Sequence, residues 1–296
     1  MLIAHLDKLY PFTIIAQTKS LRRASEILGI AQPALTRTVK ILEAELGATL
    51  FRRSVQGMEL TQEGATFLAF AETTLRRADD VKQRIGFALE ETAGVLSIAT
   101  YESLSIYLWP RLLSTLKNSL PNLRFRLKTN IHGDALEHLA TGKFDLVVDA
   151  EPRPRDNMVS VTLYTDVFQF YAAPTLSEPL AECSFIYVQS AYDQEDRTIS
   201  EHLQAAGLRN PTLYEIDSFE TAKALAHQGL GIAVLPVHVA QESVKSKRLK
   251  KISFKNFPMN GFGKHRICAT YLATNRNDPR IKATIREMKK FFAATD

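Results

Sequence analysis

Residues 18–64, TKSLRRASEILGIAQPALTRTVKILEAELGATLFRRSVQGMELTQEG, set two short helical patterns on either side of a tight turn, with a basic segment after them. Leu21, Ala24, Ile27 and Leu28 recur at helical spacing on one face, and Gly29 stands where a left-handed C-cap ends a helix. Gln32-Pro33 opens the second pattern, because proline in a first helical turn lacks only an N–H that has no intrahelical partner there. That helix is expected to run through Leu46 to Gly47, with Val39, Leu42 and Leu46 inward. Gln32, Ala34, Leu35, Thr36, Arg37, Thr38 and Lys40 are expected on its exposed face. A support helix, a short turn and a second helix with a polar outer face is the pattern of a helix-turn-helix, whose second helix enters a major groove. Arg37 and Lys40 are long enough to reach phosphate or a guanine edge, and Thr36 can bond a base or a phosphate. An amphipathic helix pair with no nucleic-acid role has the same bare pattern, so the residues beyond the second helix decide between the two.

Beyond Gly47 the chain reads Leu50-Phe51-Arg52-Arg53, a polar stretch through Gln56-Gly57, and Met58-Glu59-Leu60-Thr61, the pattern of a hairpin wing with arginines at its base. Thr61 then serves as N-cap to a further helix whose first turn, Gln62-Glu63-Gly64, is polar and partly acidic. The whole run resembles the LysR-type transcriptional regulators, through Ala24, Leu28, Gln32, Pro33, Ala34, Thr36, Leu42, Glu43, Leu46, Gly47, Leu50, Phe51, Arg53, Leu60, Thr61 and Gly64, in order and without gaps. It departs from that pattern at Ser25, where the family has a second alanine, and at Ala31, which removes a hydroxyl from the reading head. Residues expected against DNA are Arg22, Arg23, Gln32, Pro33, Ala34, Thr36, Arg37, Lys40, Arg52 and Arg53. The resemblance implies a regulator that binds double-stranded operator DNA as a dimer or tetramer, answers to a small-molecule co-inducer rather than a resident cofactor, and has RNA polymerase as a further candidate partner.

The bulk composition agrees with this class and is less specific. The chain has 296 residues, 45% of them hydrophobic and 23% charged, enough for two or three domains with ordinary cores. A net charge of +5 suits a nucleic-acid binder and is also common among proteins that touch no polyanion. The N-terminal Met1-Leu2-Ile3 is followed by His5, Asp7 and Lys8, and no later apolar run is long enough to span a bilayer. A cytoplasmic location with no membrane partner is the expectation. Cys183 and Cys268 lie far apart and outside any metal-ligand spacing, so buried reduced thiols are expected and no metal site. Some LysR-type relatives sense peroxide through a cysteine pair; Cys268 sits instead in the apolar run Ile267-Cys268-Ala269.

From Gln62 to about Glu91 there is no proline, and Phe67, Ala71, Leu75, Ala78, Val81, Ile85 and Leu89 form one apolar seam on a long helix. Such a seam suits pairing with a second copy, which sets half-site distance on a two-fold operator, or packing on its own domain. After Thr92-Ala93-Gly94 the pattern alternates. Strands are expected over 95–100, 124–129 and 145–149, and helices over 105–117 and 135–141. A second unit has strands over 167–172, 184–188 and 212–216, and helices over 198–206 and 219–227. Alternation of this kind predicts a parallel sheet covered by helices. Gly229-Leu230-Gly231-Ile232-Ala233-Val234-Leu235-Pro236 and Gly142-Lys143-Phe144-Asp145-Leu146-Val147-Val148 also match the LysR-type effector domain. A strand over 266–272 and a helix over 280–292 return to the first unit, giving two crossings as in periplasmic binding proteins. The expected architecture is an N-terminal winged helix-turn-helix, all-α with a small β wing, over 1–61, a linker helix over 62–91, and an α/β two-lobed effector domain over 92–296. Its first lobe takes about 92–162 and 266–296, its second about 163–265.

Ligands of open α/β sheets sit beyond the carboxyl ends of strands, near helix N-termini. That rule selects Thr100, Tyr101, Glu102 and Ser103 after the first strand, Asn130 and His132 after the next, and Ser190, Ser218 and Phe219 in the second unit. By resemblance Ser103 and His132 match effector-touching positions, and the family often binds small carboxylates or aromatic acids there. Ser103 can equally cap its helix, and Glu102 favours an amine or hydroxylated ligand over an anion. A solute-binding protein built on the two-lobed domain is the alternative reading, and residues 1–64 count against it. An enzyme is not indicated, since there is no nucleophile elbow, P-loop or dinucleotide glycine motif. Lys245, Lys247, Arg248, Lys250 and Lys251 read as a solvated basic loop.

Overall fold

The structure, a computed structural model, describes residues 2–54, 57–86, 92–129, 135–150, 152–177, 179, 182–188, 201, 203, 204, 207, 208, 212–254 and 261–294. It falls into two compact units, Met1–Ser97 with Asn122–Arg126 and Leu136–Asp145, and Ile98–Pro121 with Leu127–Ala135 and Leu146–Asp296.

The first unit opens with α1 (Leu9–Thr18), α2 (Leu21–Leu28) and α3 (Gln32–Leu46), the hairpin of β1 (Phe51–Ser54) and β2 (Gly57–Leu60), and α4 (Gln62–Gly86). The caps explain the boundaries. The Ser20 side chain accepts a bond from the Arg23 N–H at the start of α2, and Gly29 and Gly47 end α2 and α3 at φ 66° and 65°. The Gly64 N–H donates to Thr61 Oγ1 at 2.9 Å, so Thr61 caps α4 as its sequence predicts. Sequence reading leaves 9–18 unassigned, yet α1 supplies Leu9, Phe12 and Ile15 to the core. Phe12 is its centre, with ring centroids 5.1 Å from Phe51 and 4.8 Å from Phe67.

Three positions differ from expectation. Leu35, expected on the outer face of α3, is fully buried, while Ile27 and Leu46, expected inward, are 60% and 38% exposed. The core of the unit meets α3 along Leu35, Val39 and Leu42; Leu46 lies one turn beyond, beside the C-cap. On α2 the inward stripe is Leu21, Ala24 and Leu28, and Ile27 falls off it. The apolar seam of α4 divides as well. Phe67 and Ala71 pack inside this unit, Val81 is exposed, and Leu89 lies outside the described residues.

The remaining elements are β3 (Gly94–Thr100), α5 (Glu102–Tyr107), α6 (Trp109–Ser119), β4 (Leu123–Lys128), α7 (Ala135–Ala140), β5 (Leu146–Ala150) and β6 (Met158–Ala172). Then come β7 (Phe185–Val188), β8 (Leu213–Ile216), α8 (Phe219–His227), β9 (Ile232–Pro236), α9 (Val237–Lys245), β10 (Lys250–Ile252), β11 (Phe262–Leu272) and α10 (Pro279–Ala293). The helix expected over 105–117 is two helices, because Pro110 opens a new first turn and Leu108 serves both as C-cap of α5 and N-cap of α6. Of the helix expected over 198–206, Glu201, Leu203 and Gln204 are described and helical. Part of the expected basic loop is helical, since α9 runs to Lys245, and Lys250 and Lys251 pair in β10.

The sheet is mixed, not parallel as expected. Its order is β4-β3-β5-β11-β6-β9-β7-β8, with β10 also on β6. β3 with β5, β7 with β8 and β7 with β9 are parallel; β11 with β5 and β6, and β6 with β9 and β10, are antiparallel. Two strands cause this. β6 and β11 are longer than their sequence signals, and the lobe boundaries expected near residues 162 and 265 fall inside them. β6 pairs with β11 over Met158–Phe168, then with β9 over Phe168–Tyr171, so one continuous strand serves both lobes. The glycines of the 229–236 string act as the sequence implies. Gly229 has φ +79°, and a Cβ on Gly231 would lie 2.3 Å from the Ser184 carbonyl oxygen. Cys183 and Cys268 are buried free thiols. No described helix is long and apolar enough to cross a membrane.

Candidate nucleic-acid interface and effector site

In the reading head, Arg22, Arg23, Gln32, Pro33, Ala34, Arg37, Lys40, Arg52 and Arg53 are exposed and Thr36 is half-buried. Thr36 Oγ1 donates to the Gln32 carbonyl at 3.0 Å, which leaves the hydroxyl its acceptor capacity. Arg22 pairs with Glu26 at 3.2 Å, and Arg52 with Glu59 at 3.1 Å. Arg23, Arg37, Lys40 and Arg53 have no side-chain partner among the described residues, so their cationic heads stay in water.

Sequence reasoning missed how the wing is held. Glu43, on the inner side of α3, accepts from the Leu50 and Phe51 N–H groups at 2.8 and 3.3 Å, tying the recognition helix to the first wing strand. The Met58 N–H donates to the Lys19 carbonyl at 2.8 Å, and a Cβ on Gly57 would lie 2.3 Å from that oxygen. The wing therefore sits directly on the turn between α1 and α2. A glutamate eight residues before a strand was a visible signal; a carbonyl at Lys19 was not.

The effector residues chosen from sequence scatter. Thr100 is buried and accepts from the Trp109 indole N–H at 3.1 Å. The Tyr101 hydroxyl bonds Asp149. Ser103 is half-buried in the first turn of α5, whose N-cap is Tyr101. Ser218 caps α8, accepting from the Thr221 N–H, and donates to Glu102 Oε2 at 3.4 Å. Phe219 packs on Phe168 with centroids 6.0 Å apart. Asn130, His132 and Ser190 lie outside the described residues. Of the chosen set, Glu102 and Ser218 are brought together across α5 and α8.

They join a polar junction that sequence reasoning did not find. The Tyr107 hydroxyl donates to Glu220 Oε1, the Lys223 ammonium pairs with Glu220 at 3.0 Å, and the same ammonium lies over the Tyr107 ring, 4.3 Å from its centroid. Burial, then the Glu102 charge, raises the Glu220 pKa; burial, then Arg248, lowers that of Lys223. Acid and base three apart at the start of α8 was the one available signal.

Two more carboxylates lie in the second unit. Asp166, on β6, accepts from the Val167 N–H at 2.8 Å, the His238 N–H at 3.3 Å and His238 Nδ1 at 2.5 Å. Burial opposes its ionisation, but the bond and charge of His238, with the charge of His265, hold its pKa below the ordinary value. Asp149, at the carboxyl end of β5, has the Ala150 N–H and the Tyr101 hydroxyl to offset burial, which pushes it to about 7; its Oδ1 is buried with no partner among the described residues. A carboxyl raised from 3.8 to about 7 binds its proton more tightly folded than unfolded. Stability therefore falls as pH rises between those values and levels off above them, a loss on the order of 4 kcal/mol. Asp149→Asn should abolish that fall and be the more stable protein at pH 8, as read from urea unfolding at pH 5 and 8. Equal pH dependence in the two proteins would contradict it.

Comparison with known proteins agrees with this geometry. The bacterial regulatory helix-turn-helix protein, lysR family, matches residues 6–65, and the LysR substrate binding domain matches residues 89–293. The chain is 29% identical over 240 residues to the HTH-type transcriptional regulator YybE of Bacillus subtilis, covering 78% of this chain and 82% of that protein. It is 29% identical over 248 residues to the nitrogen assimilation regulatory protein nac of Klebsiella aerogenes, with 80% of each chain covered. Its fold superposes with a TM-score of 0.69, at 19% identity, on full-length CbnR complexed with its target DNA, covering 97% of this chain and 99% of that one. These matches support regulation and not a solute-binding protein built on the two-lobed domain alone. With a winged helix-turn-helix before a two-lobed substrate-binding domain, the chain belongs to the LysR family and is a LysR-type DNA-binding transcriptional regulator.

Proposed function

We propose that this regulator reads a two-fold operator in the cytoplasm as a dimer, assembling further to a tetramer, with α3 in the major groove and the wing on flanking phosphates. Residues 1–61 form the DNA module, 62–91 the pairing helix and 92–296 the effector domain, whose state is passed to the promoter and to RNA polymerase. Arg37, Lys40, Arg23 and Arg53 make the DNA contacts, supported by Gln32, Pro33, Ala34, Thr36, Arg22 and Arg52. A small-molecule effector enters beside Glu102, Ser103, Ser218 and Phe219, near Thr100 and Tyr101 at the end of the first strand, and no reaction is performed on it; Asn130, His132 and Ser190, also chosen from sequence, lie outside the described residues. The observation that carries this reading is the face of α3. Leu35, Val39 and Leu42 anchor the helix in the core, while Arg37 and Lys40 stand exposed with no partner among the described residues.

Fluorescence anisotropy on the intergenic DNA upstream of the chain's own gene, across a salt series, tests it. Specific binding should weaken steeply with salt and shift on addition of one class of small molecule. Binding that ignores sequence at every salt concentration would refute operator recognition.

A further inference from the structure

Tyr107, at the end of α5, is the hub of the junction with α8. Its hydroxyl is given to Glu220, its face lies under the Lys223 ammonium, and its ring stands edge-on to His238 with centroids 6.3 Å apart. A carboxylate together with an aromatic face is the environment in which proteins hold an alkylammonium group, and here Lys223 occupies it.

The charges at this junction are not balanced. Glu102 and Glu220 are close enough for Glu102 to oppose ionisation of Glu220. The bond Glu102 accepts is from the neutral Ser218 hydroxyl, long at 3.4 Å, so Lys223 is the one cation paired with either carboxylate among the described residues. Arg248 acts on Lys223 from an exposed position. The His238 side chain behind the Tyr107 ring is only 7% exposed, its Nδ1 is taken by Asp166, and its Nε2 is buried with no partner among the described residues.

We propose that this junction is the ammonium-recognising part of the effector site. The effector carries a protonated primary amine that lodges between Glu102 and Glu220 against the Tyr107 ring. Lys223 is the intramolecular stand-in that fills part of this place in the unliganded chain. The assignment rests on the reading of this cleft as the effector site. It commits to an amine against the carboxylates that the family resemblance would suggest.

Chemical rescue in the full-length chain tests it. Trp109 is the single tryptophan, buried two residues beyond Tyr107 with its indole on Thr100, so its fluorescence reports on the junction. Lys223→Ala leaves both carboxylates without their cation. Propylammonium chloride, titrated against sodium chloride at equal ionic strength, should change Trp109 fluorescence saturably in this variant and restore its melting temperature. The wild-type chain should bind the same probe at least tenfold more weakly, and Glu220→Gln in the Lys223→Ala background should weaken it at least tenfold. Propanol and sodium propionate should give no saturable change.

A saturable response to propionate instead, or none to propylammonium in a variant whose circular dichroism is native, overturns the proposal. If Lys223→Ala does not fold, Glu102→Gln in the otherwise wild-type chain takes its place. An unchanged response to the probe there overturns the proposal equally. Operator binding followed in parallel separates the two claims. Amine binding with no effect on DNA upholds the ammonium site and removes the cleft's role as sensor. Loss of the amine site with operator binding still shifted by another small molecule removes the site and leaves the regulator reading standing.

Discussion

Replacing Arg37 by alanine is expected to weaken binding to the cognate operator by about 1–3 kcal/mol, roughly five- to 150-fold, while leaving the melting temperature unchanged. Arg37 is exposed and has no hydrogen bond or ion pair among the described residues, so truncation removes nothing from the folded chain. Substitutions of that kind stay within about 0.5 kcal/mol of wild type in stability. The salt dependence distinguishes what Arg37 touches. If it holds a phosphate, the slope of log K against log salt falls by about one and all sequences weaken alike. If it reads a guanine edge, discrimination at one base pair relaxes. Arg52 provides the internal comparison. It is already committed to Glu59, so Arg52→Ala should cost the complex less than Arg37→Ala does. Operator affinity unchanged in Arg37→Ala would move the reading face elsewhere on α3.

Asp166→Ala is expected to destabilise the effector domain by about 3–5 kcal/mol, the range for breaking a buried pair from one side. The His238 imidazole and two backbone N–H groups, of Val167 and His238, lose their acceptor at once in a place where water does not replace it. Asp166→Asn keeps an acceptor and should lose less. The sign of the pH dependence comes from the lowered pKa of Asp166. Its contribution is present above the unfolded value of 3.8 and disappears as pH falls through the lower folded value, so wild type and variant should converge in strong acid. Urea unfolding of both proteins at pH 7 and at pH 3 measures this, and a difference at pH 7 below about 1 kcal/mol would show that the pair is solvated.

How much was legible differs between the two ends of the chain, and for one reason. The reading head is built from contacts close in sequence: a cap at Ser20, glycines at 29 and 47, a proline at 33 and a hairpin pairing Phe51 with Leu60. Local signals of that kind need only the neighbouring residues to have their effect, so helices, turn and wing were readable directly, and the same stretch carried the family resemblance. The errors there, Leu35, Ile27 and Leu46, came from not seeing α1, since the side of each helix that is inward depends on what packs against it. The effector domain is different. Most of its strands were found, though not β10 or the first half of β6, but direction was not, because β11 enters between β5 and β6 from about a hundred residues away and turns an expected parallel sheet into a mixed one.

The sequence by itself determined the helix pair, turn and wing and the alternation of strands and helices, from periodicity and spacing within a few turns of chain, and the family through the resemblance of residues 18–64 to the LysR-type regulators. Only the tertiary structure decided which side chains meet. Glu102 joins Ser218, Tyr107 joins Glu220, and Asp166 joins His238, across separations of 116, 113 and 72 residues. No local pattern marks such partners, because burial and charge at these positions arise only when distant strands and helices close around them.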